Sequence, residues 1–300
     1  MTVLRTDNQS GMALLVVLGV IALLLPWILH DLQNQRFTVR RVQNELAMQQ
    51  AYRLAESTLQ QVMLNLEKEG GQVFDETRMG GASGKNGEGM TEIEVIDATR
   101  YVNINDLVLA NGDLNRPVYH LMGEIFEYLH VDISLLNVVV DWMDSDETQM
   151  GGTETESSRY QSQGLNYGLA NEPMAGRMEL NYLPGWNEDL IRRIEPYARV
   201  FPGCQYAGIN LNNADAVILV AMAEGWNVDT FLQARPFVDL QQMQKAGFPL
   251  QAEDASFARF QSSCFAVTIQ TQVAEVRGTL ESWLLAKDGK ISLMGVRWSG

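Results

Sequence analysis

Residues Met12–Leu29 read MALLVVLGVIALLLPWIL, eighteen positions without a charge. Wound as an α-helix at about 1.5 Å per residue, the run is about 27 Å long, close to the roughly 30 Å of a bilayer's hydrocarbon core. A cleaved secretory signal would end in small residues of the A-x-A kind. Here the bulky Trp27, Ile28, Leu29 and His30 follow Pro26 instead. A buried core helix is seldom apolar all round. The run therefore predicts a membrane helix that is kept.

The sequence on either side extends this reading. Met1–Gly11 is short and polar, with Arg5 as its cation. From Asp31 to Glu69 there is no Pro or Gly, and Gln, Leu, Ala, Glu and Arg dominate, all good helix formers. Leu46, Tyr52, Leu54, Leu59, Val62, Met63 and Leu66 recur at spacings near three and four, which predicts an apolar stripe against a soluble domain. One long helix is expected, ended by Gly70 and Gly71 and kinked at Pro26, whose ring clashes with the preceding turn.

Bulk properties narrow the function. At 300 residues, 46% hydrophobic and 20% charged, the chain can bury a real core. A net charge of −15 argues against nucleic acid as a partner, because phosphates need clustered Lys and Arg. Cys204 and Cys264 fit no four-ligand zinc pattern. They are expected to form one disulfide if the chain is exported, and two buried thiols if it is not.

Past residue 70 the periodicity changes twice. Thr91–Val95 and Arg100–Ile104 read as strands, with Asn103 and Asn105 at a strand-to-helix junction. From Asp106 to Gln261 the character is helical: Tyr119–Leu129, Ile133–Met143, Asn187–Tyr197, Ala214–Ala223 capped by Asn212 or Asn213, Asp229–Ala234 and Asp239–Lys245. Phe265–Val273, Arg277–Leu285 and Ile291–Trp298 return to strands, with Lys287–Gly289 as a hairpin turn. Strands flanking a helical block predict an α+β domain with an all-α insertion.

Candidate chemistry is sparse. Gly80–Gly89 (GGASGKNGEG) lacks both the first Gly and the final Ser or Thr of a phosphate-binding loop. His30, His120 and His130 stand apart, so no catalytic group is expected. Ile209–Leu240 is similar to helix-hairpin-helix or SAM-like modules but carries little basic charge. Asp141–Glu156 (DWMDSDETQMGGTETE) holds six carboxylates and no Lys or Arg. Clustered carboxylates repel unless a cation lies between them, and oxygen ligands alone suit Ca²⁺ better than Zn²⁺. The loop is not an EF-hand, with Gln149 at the sixth position from Asp144 and Thr155 at the twelfth. A solvated acidic loop is the alternative.

Taken in order, these features resemble a known family. A leader ending in Gly11, an apolar run and an amphipathic helix resemble a type IV prepilin. Further along come YVNINDL (Tyr101–Leu107), VVDWMDSDE (Val139–Glu147), MELNYLPGW (Met178–Trp186), INLNNA (Ile209–Ala214) and RPF (Arg235–Phe237). Their order is similar to that of the K-type minor pseudopilins of type II secretion systems. The resemblance implies cleavage by a prepilin peptidase between Gly11 and Met12, and N-methylation of Met12. It implies Ca²⁺ in the acidic insertion, with Asp144, Asp146, Glu147, Glu154 and Glu156 as ligands. Most pilins carry Glu at the fifth mature position, and this chain has Val16 there. In the family that Glu is thought to neutralise the N-terminal amine of the subunit ahead, so its loss points to the end of a filament.

The expected architecture is α+β: a pilin-like long N-terminal helix plus an antiparallel sheet, with a large all-α (SAM-like) insertion. Its parts are a leader (1–11), the transmembrane and amphipathic helix (12–69), the first part of the sheet domain (70–105), the inserted α-domain (106–261) and the second part of the sheet domain (262–300). The resemblance implies a non-enzymatic subunit with a single pass through the inner membrane and its soluble part in the periplasm. It also implies I-type and J-type minor pseudopilins as partners through the N-terminal helix. A type IV minor pilin and a membrane-tethered calcium-binding module or hydrolase are the alternatives.

Overall fold

The computed structural model describes residues 9–69, 84–86, 89–146, 148–151, 168–223 and 225–300. Helix α1 runs without interruption from Gln9 to Glu69, through Pro26. Its described side chains from Met12 to Leu46 are exposed. From Ala47 onward it lies across a five-stranded sheet.

That sheet has the order β1-β2-β7-β8-β9 and is antiparallel throughout. Its strands are β1 (Gly84–Asn86), β2 (Gly89–Asp97), β7 (Cys264–Val273), β8 (Val276–Lys287) and β9 (Lys290–Ser299). Residue alternation sets the faces, since successive strand side chains point opposite ways. Val95, Phe265, Val267, Ile269, Leu280, Leu284 and Ile291 turn towards α1 and bury against Ala55, Leu59, Val62 and Leu66. The hairpin predicted at Lys287–Gly289 is present: Lys287 pairs with Lys290, and Asp288 and Gly289 take the positive φ that such a turn requires. At the other end of the helix contact, Trp298 packs edge-on against Tyr52, with ring centroids 5.3 Å apart. Its indole lies over Gly278, where an added Cβ would come within 2.2 Å of the ring.

The apolar stripe of α1 differs from the expectation. Leu46 is 54% exposed, while Ala47 and Ala51 are buried and pack on Val273, the last residue of β7. Small side chains let the helix approach the sheet closely where it first meets it.

Between β2 and β7 the chain leaves the sheet and builds a second core. Helices α2 (Arg116–Tyr128), α3 (Ser134–Met143), α4 (Glu188–Ile194), α5 (Ala216–Met222), α6 (Val228–Ala234), α7 (Leu240–Lys245) and α8 (Ala252–Phe257) surround it. Leu121, Ile125, Phe126, Leu136, Val139, Ile191, Ile218 and Phe231 are among its fully enclosed side chains. Arg116–Pro117 opens α2, where a proline costs nothing because the first helical N–H groups have no intrahelical partner.

Two expectations are corrected here. The predicted strand Arg100–Ile104 is a 3₁₀ turn (Ala98–Arg100), a two-residue strand β3 (Val102–Asn103) and a second 3₁₀ turn (Ile104–Leu107). The inserted region is also not wholly helical. β3 pairs in parallel with β4 (Ala198–Arg199), and β5 (Ile209–Asn210) pairs in parallel with β6 (Ala258–Arg259). Strands this short take their stability from partners distant in sequence, so no local periodicity announces them.

Polarity along the long axis follows from the contacts of α1. Ala47 and Ala51 meet the β7–β8 end of the sheet at Val273. Near its C-terminus, Glu67 accepts a hydrogen bond from the backbone N–H of Ile291 beside the β8–β9 turn. Asp97 and Phe265, which pair across β2 and β7, lie at this second end. The inserted region therefore leaves and rejoins the sheet at the end farthest from the apolar run.

Candidate functional site

The junction between sheet and insertion is built around one buried carboxylate. Asp97, the last residue of β2, is fully enclosed. Its Oδ2 accepts from Ser262 Oγ (2.6 Å), Asn213 Nδ2 (2.8 Å) and Asn210 Nδ2 (3.2 Å), and its Oδ1 from the backbone N–H of Thr99 (2.9 Å). These donors come from the exit of the insertion, its INLNNA segment and its return. A buried carboxylate is tolerated only when its lone pairs are satisfied, and here they are.

Three asparagines extend the junction by imitating a peptide unit, since the amide offers one donor and one acceptor side by side. Asn103 bonds the N–H and C=O of Phe201, both at 3.1 Å. Asn105 does the same for Met174 (2.8 and 2.9 Å), and Asn212 for Phe237 (2.8 Å each). Asn212 and Asn213 are thus occupied, and the cap of α5 is Asp215, which accepts from the N–H of Val217 at 2.9 Å. That corrects the expected cap. The expected junction role of Asn103 holds, as its side chain also accepts from the N–H of Asn105.

Cys204 and Cys264 form a disulfide, with Cα atoms 5.8 Å apart and both residues buried. The bond ties the Phe201–Ala207 loop to the first residue of β7. Tyr101, Phe201 and Ala98 pack around it. Within this loop, the backbone N–H of Tyr206 donates to Asp106 at 2.8 Å, and the Tyr206 hydroxyl donates to Val108 O at 2.9 Å. Burial pushes the Asp106 carboxyl up to about 7 against the lowering effect of that one backbone hydrogen bond.

The acidic segment is described in part. Asp141 is buried, and its Oδ1 accepts from the N–H of Met150 at 2.8 Å, so it shapes the loop. Asp144 is buried just past the last turn of α3, and Asp146 is exposed and accepts from the N–H of Thr148 at 2.6 Å. Glu147, Glu154 and Glu156 lie outside the described residues. Among the described residues no three His, Cys, Asp or Glu side chains gather as metal ligands. His120 sits 3.9 Å from Glu124 on the exposed face of α2.

The remaining surface of note is α1 itself. The described side chains from Met12 to Leu46 are all exposed, Leu23 at 78% and Val16 at 61%. This is the one helix among the described residues long and apolar enough to cross a membrane. The Gly11–Met12 bond lies in its first turn.

A bare apolar helix continuing into a helix-on-sheet domain is a pilin-like architecture with a candidate single-pass anchor, here bearing a helical insertion. Residues 101–203 match the family model described as "Type II secretion system (T2SS), protein K". A solved chain of the GspK–GspI–GspJ complex from the type 2 secretion system of enterotoxigenic Escherichia coli has a similar fold. Its TM-score is 0.66 at 20% identity, over 87% of this chain and 99% of that one. No curated protein sequence matches. Over residues 101–203 the chain is thus similar to the protein K family of type II secretion, and its fold is similar to that of the solved chain.

Proposed function

We propose that this subunit occupies the tip of the pseudopilus, where it helps initiate the filament and caps it for export of folded proteins across the outer membrane. The observation that carries this reading is the pairing of two ends. At one end an exposed helix offers an apolar surface whose fifth position after Gly11 is Val16, with no carboxylate for a subunit ahead. At the other, a bulky insertion held by Asp97 and the disulfide covers the distal end of the sheet. Such a subunit can receive neighbours below and alongside and blocks addition above. The work is done by shape and packing, and no catalytic step is invoked.

The partners in this proposal are I-type and J-type minor pseudopilins, engaged through the N-terminal helix. The family model and the solved complex containing GspI and GspJ support the choice. A prepilin peptidase would cut after Gly11, leaving Met12 as the N-methylated terminus. The helix would stay in the inner membrane and the body would lie in the periplasm, a compartment in which the Cys204–Cys264 bond persists. Replacing Gly11 with Val is the direct test: an uncleaved precursor and loss of secretion are expected, and normal processing with normal secretion would overturn the assignment.

Calcium in the acidic loop is part of the same proposal. Asp144 is a buried carboxylate just past the C-terminus of α3, where the helix dipole is negative. A divalent cation held there by Asp144 and Asp146, with Glu147, Glu154 and Glu156, would offset that repulsion, and the all-oxygen donor set suits Ca²⁺. Unchanged melting of the purified protein between calcium and chelator would remove the site.

A further inference from the structure

Between the apolar run and the first contact of α1 with the sheet lies a stretch of helix whose side chains are all exposed among the described residues. Residues 30–46 contain Arg36, Arg40 and Arg41, with an acid only at each end, Asp31 and Glu45, in a chain of net charge −15. All three arginines are exposed, and none has an ion-pair partner among the described residues. The nearest carboxylate towards the span, on Asp31, accepts a hydrogen bond from Gln35 at 2.8 Å.

Helical phase fixes where the arginines point. Residues about 18 apart are related by five whole turns. Arg40 and Arg41 therefore lie directly below Thr58 and Leu59, which are buried against the sheet, and Arg36 is one turn below Arg40. The cations occupy the side of the helix that faces the space beneath the body. Leu32, Val39, Val42 and Leu46, each about half exposed, cluster on another side. The two surfaces are distinct: an apolar strip suited to another helix, and a cationic one.

Height above the membrane decides what meets the cationic side. Counted from Leu29 at about 1.5 Å per residue, Arg36 stands about 10 Å and Arg41 about 18 Å beyond the apolar span. The headgroup layer occupies roughly the first 5–7 Å, the Arg stem can reach back towards it, and the field of an anionic surface extends a further Debye length of about 8 Å. All three guanidinium groups fall inside that zone. The body begins near Ala47, about 27 Å from the span. Cations on an exported flank also run against the bias that keeps Lys and Arg on the cytoplasmic side, so fixing topology does not account for them.

We infer that Arg36, Arg40 and Arg41 form a headgroup-binding band that docks the subunit onto anionic phospholipids while it is stored in the membrane before assembly. The band adds electrostatic attraction to the hydrophobic anchor and recruits acidic lipids around the stalk. This rests on the membrane reading of Met12–Leu29, and the test separates the two. The full chain is reconstituted in mixed bilayers, and electron paramagnetic resonance measures the motionally restricted fraction of spin-labelled phosphatidylglycerol and of spin-labelled phosphatidylcholine. The expected result is an approximately two- to fivefold preference for the anionic lipid. It should fall towards one at about 0.5 M salt and in the triple variant R36Q/R40Q/R41Q, and survive in the triple Lys variant. Equal restriction of both lipids, or a preference that persists in the Gln variant, overturns the inference and leaves the anchor standing. A Gln variant with unchanged lipid selectivity that no longer co-purifies with partner pseudopilins would give the arginines to a protein contact and likewise overturn it. Absence of restricted lipid of either kind would remove the anchor itself, and the band with it.

Discussion

Ser262 donates a hydrogen bond of 2.6 Å to Asp97 across 165 residues of sequence, and closes the loop through which the insertion leaves and rejoins the sheet. Asp97 collects further donors from Asn210, Asn213 and Thr99. Substituting Asp97 with Ala takes this acceptor from the Ser262 hydroxyl and the Thr99 N–H and leaves Asn210 and Asn213 only their bonds to Ser262 Oγ at 3.1 and 3.5 Å; each buried group left unsatisfied costs about 1–3 kcal/mol. A loss of roughly 3–5 kcal/mol is expected, with a smaller loss for Asp97→Asn, which keeps one acceptor. Chemical denaturation of the soluble body would measure both. Near-equal stability of Asp97→Ala and the parent would show that the junction is held elsewhere.

The Cys204–Cys264 bond closes a loop of sequence separation 60 over the same junction. Constraining the unfolded chain by such a loop is worth roughly 2–4 kcal/mol. Reduction, or the double variant C204A/C264A, should lower the melting temperature without abolishing the fold, because each core packs independently of the bridge. Calorimetry with and without reductant checks this, and an unchanged melting temperature would contradict it.

Ser282 sits on the helix-covered face of β8 between Leu280 and Leu284, and its buried hydroxyl has no hydrogen-bond partner among the described residues. Removing an unsatisfied hydroxyl recovers its desolvation penalty. Ser282→Ala should therefore stabilise the body by about 1 kcal/mol, read as a higher denaturation midpoint. Destabilisation would mean that the hydroxyl is bonded in solution.

Asp106 gives the junction a pH dependence. Burial raises its folded-state value to about 7, above the ordinary carboxylate range of the unfolded chain. The folded protein then holds a proton that the unfolded chain has released, so this contribution is complete below about pH 4 and is lost as the pH rises through about 7. Between pH 5 and pH 8 the wild type should lose more stability than Asp106→Asn, which has nothing to titrate. Parallel pH profiles for the two proteins would exclude Asp106 as the source.

Much of this was readable before the structure. The long helix, the three C-terminal strands and the Lys287–Gly289 turn announce themselves because their signals are local: an uncharged run, alternation, a turn-forming pair of residues. What escaped was set at long range. Asn212 and Asn213 look like caps in isolation, but bonds to Phe237 and Asp97 claim them first. Asp97 itself carried no local mark beyond an acid at the end of a strand. Its role emerges only when the asparagine-rich INLNNA segment is brought against it. Ala47 and Ala51 were invisible to a count of large apolar residues, because close approach selects for smallness. The cysteine pair was legible as chemistry, and the structure supplied its place.

The proposal is that this subunit ends the filament. Quantifying its copies in isolated pseudopili of different lengths tests it most directly. A single copy per filament, located at one end whatever the length, is the expected result. Copies that increase in proportion to length would place the subunit in the shaft and contradict the account.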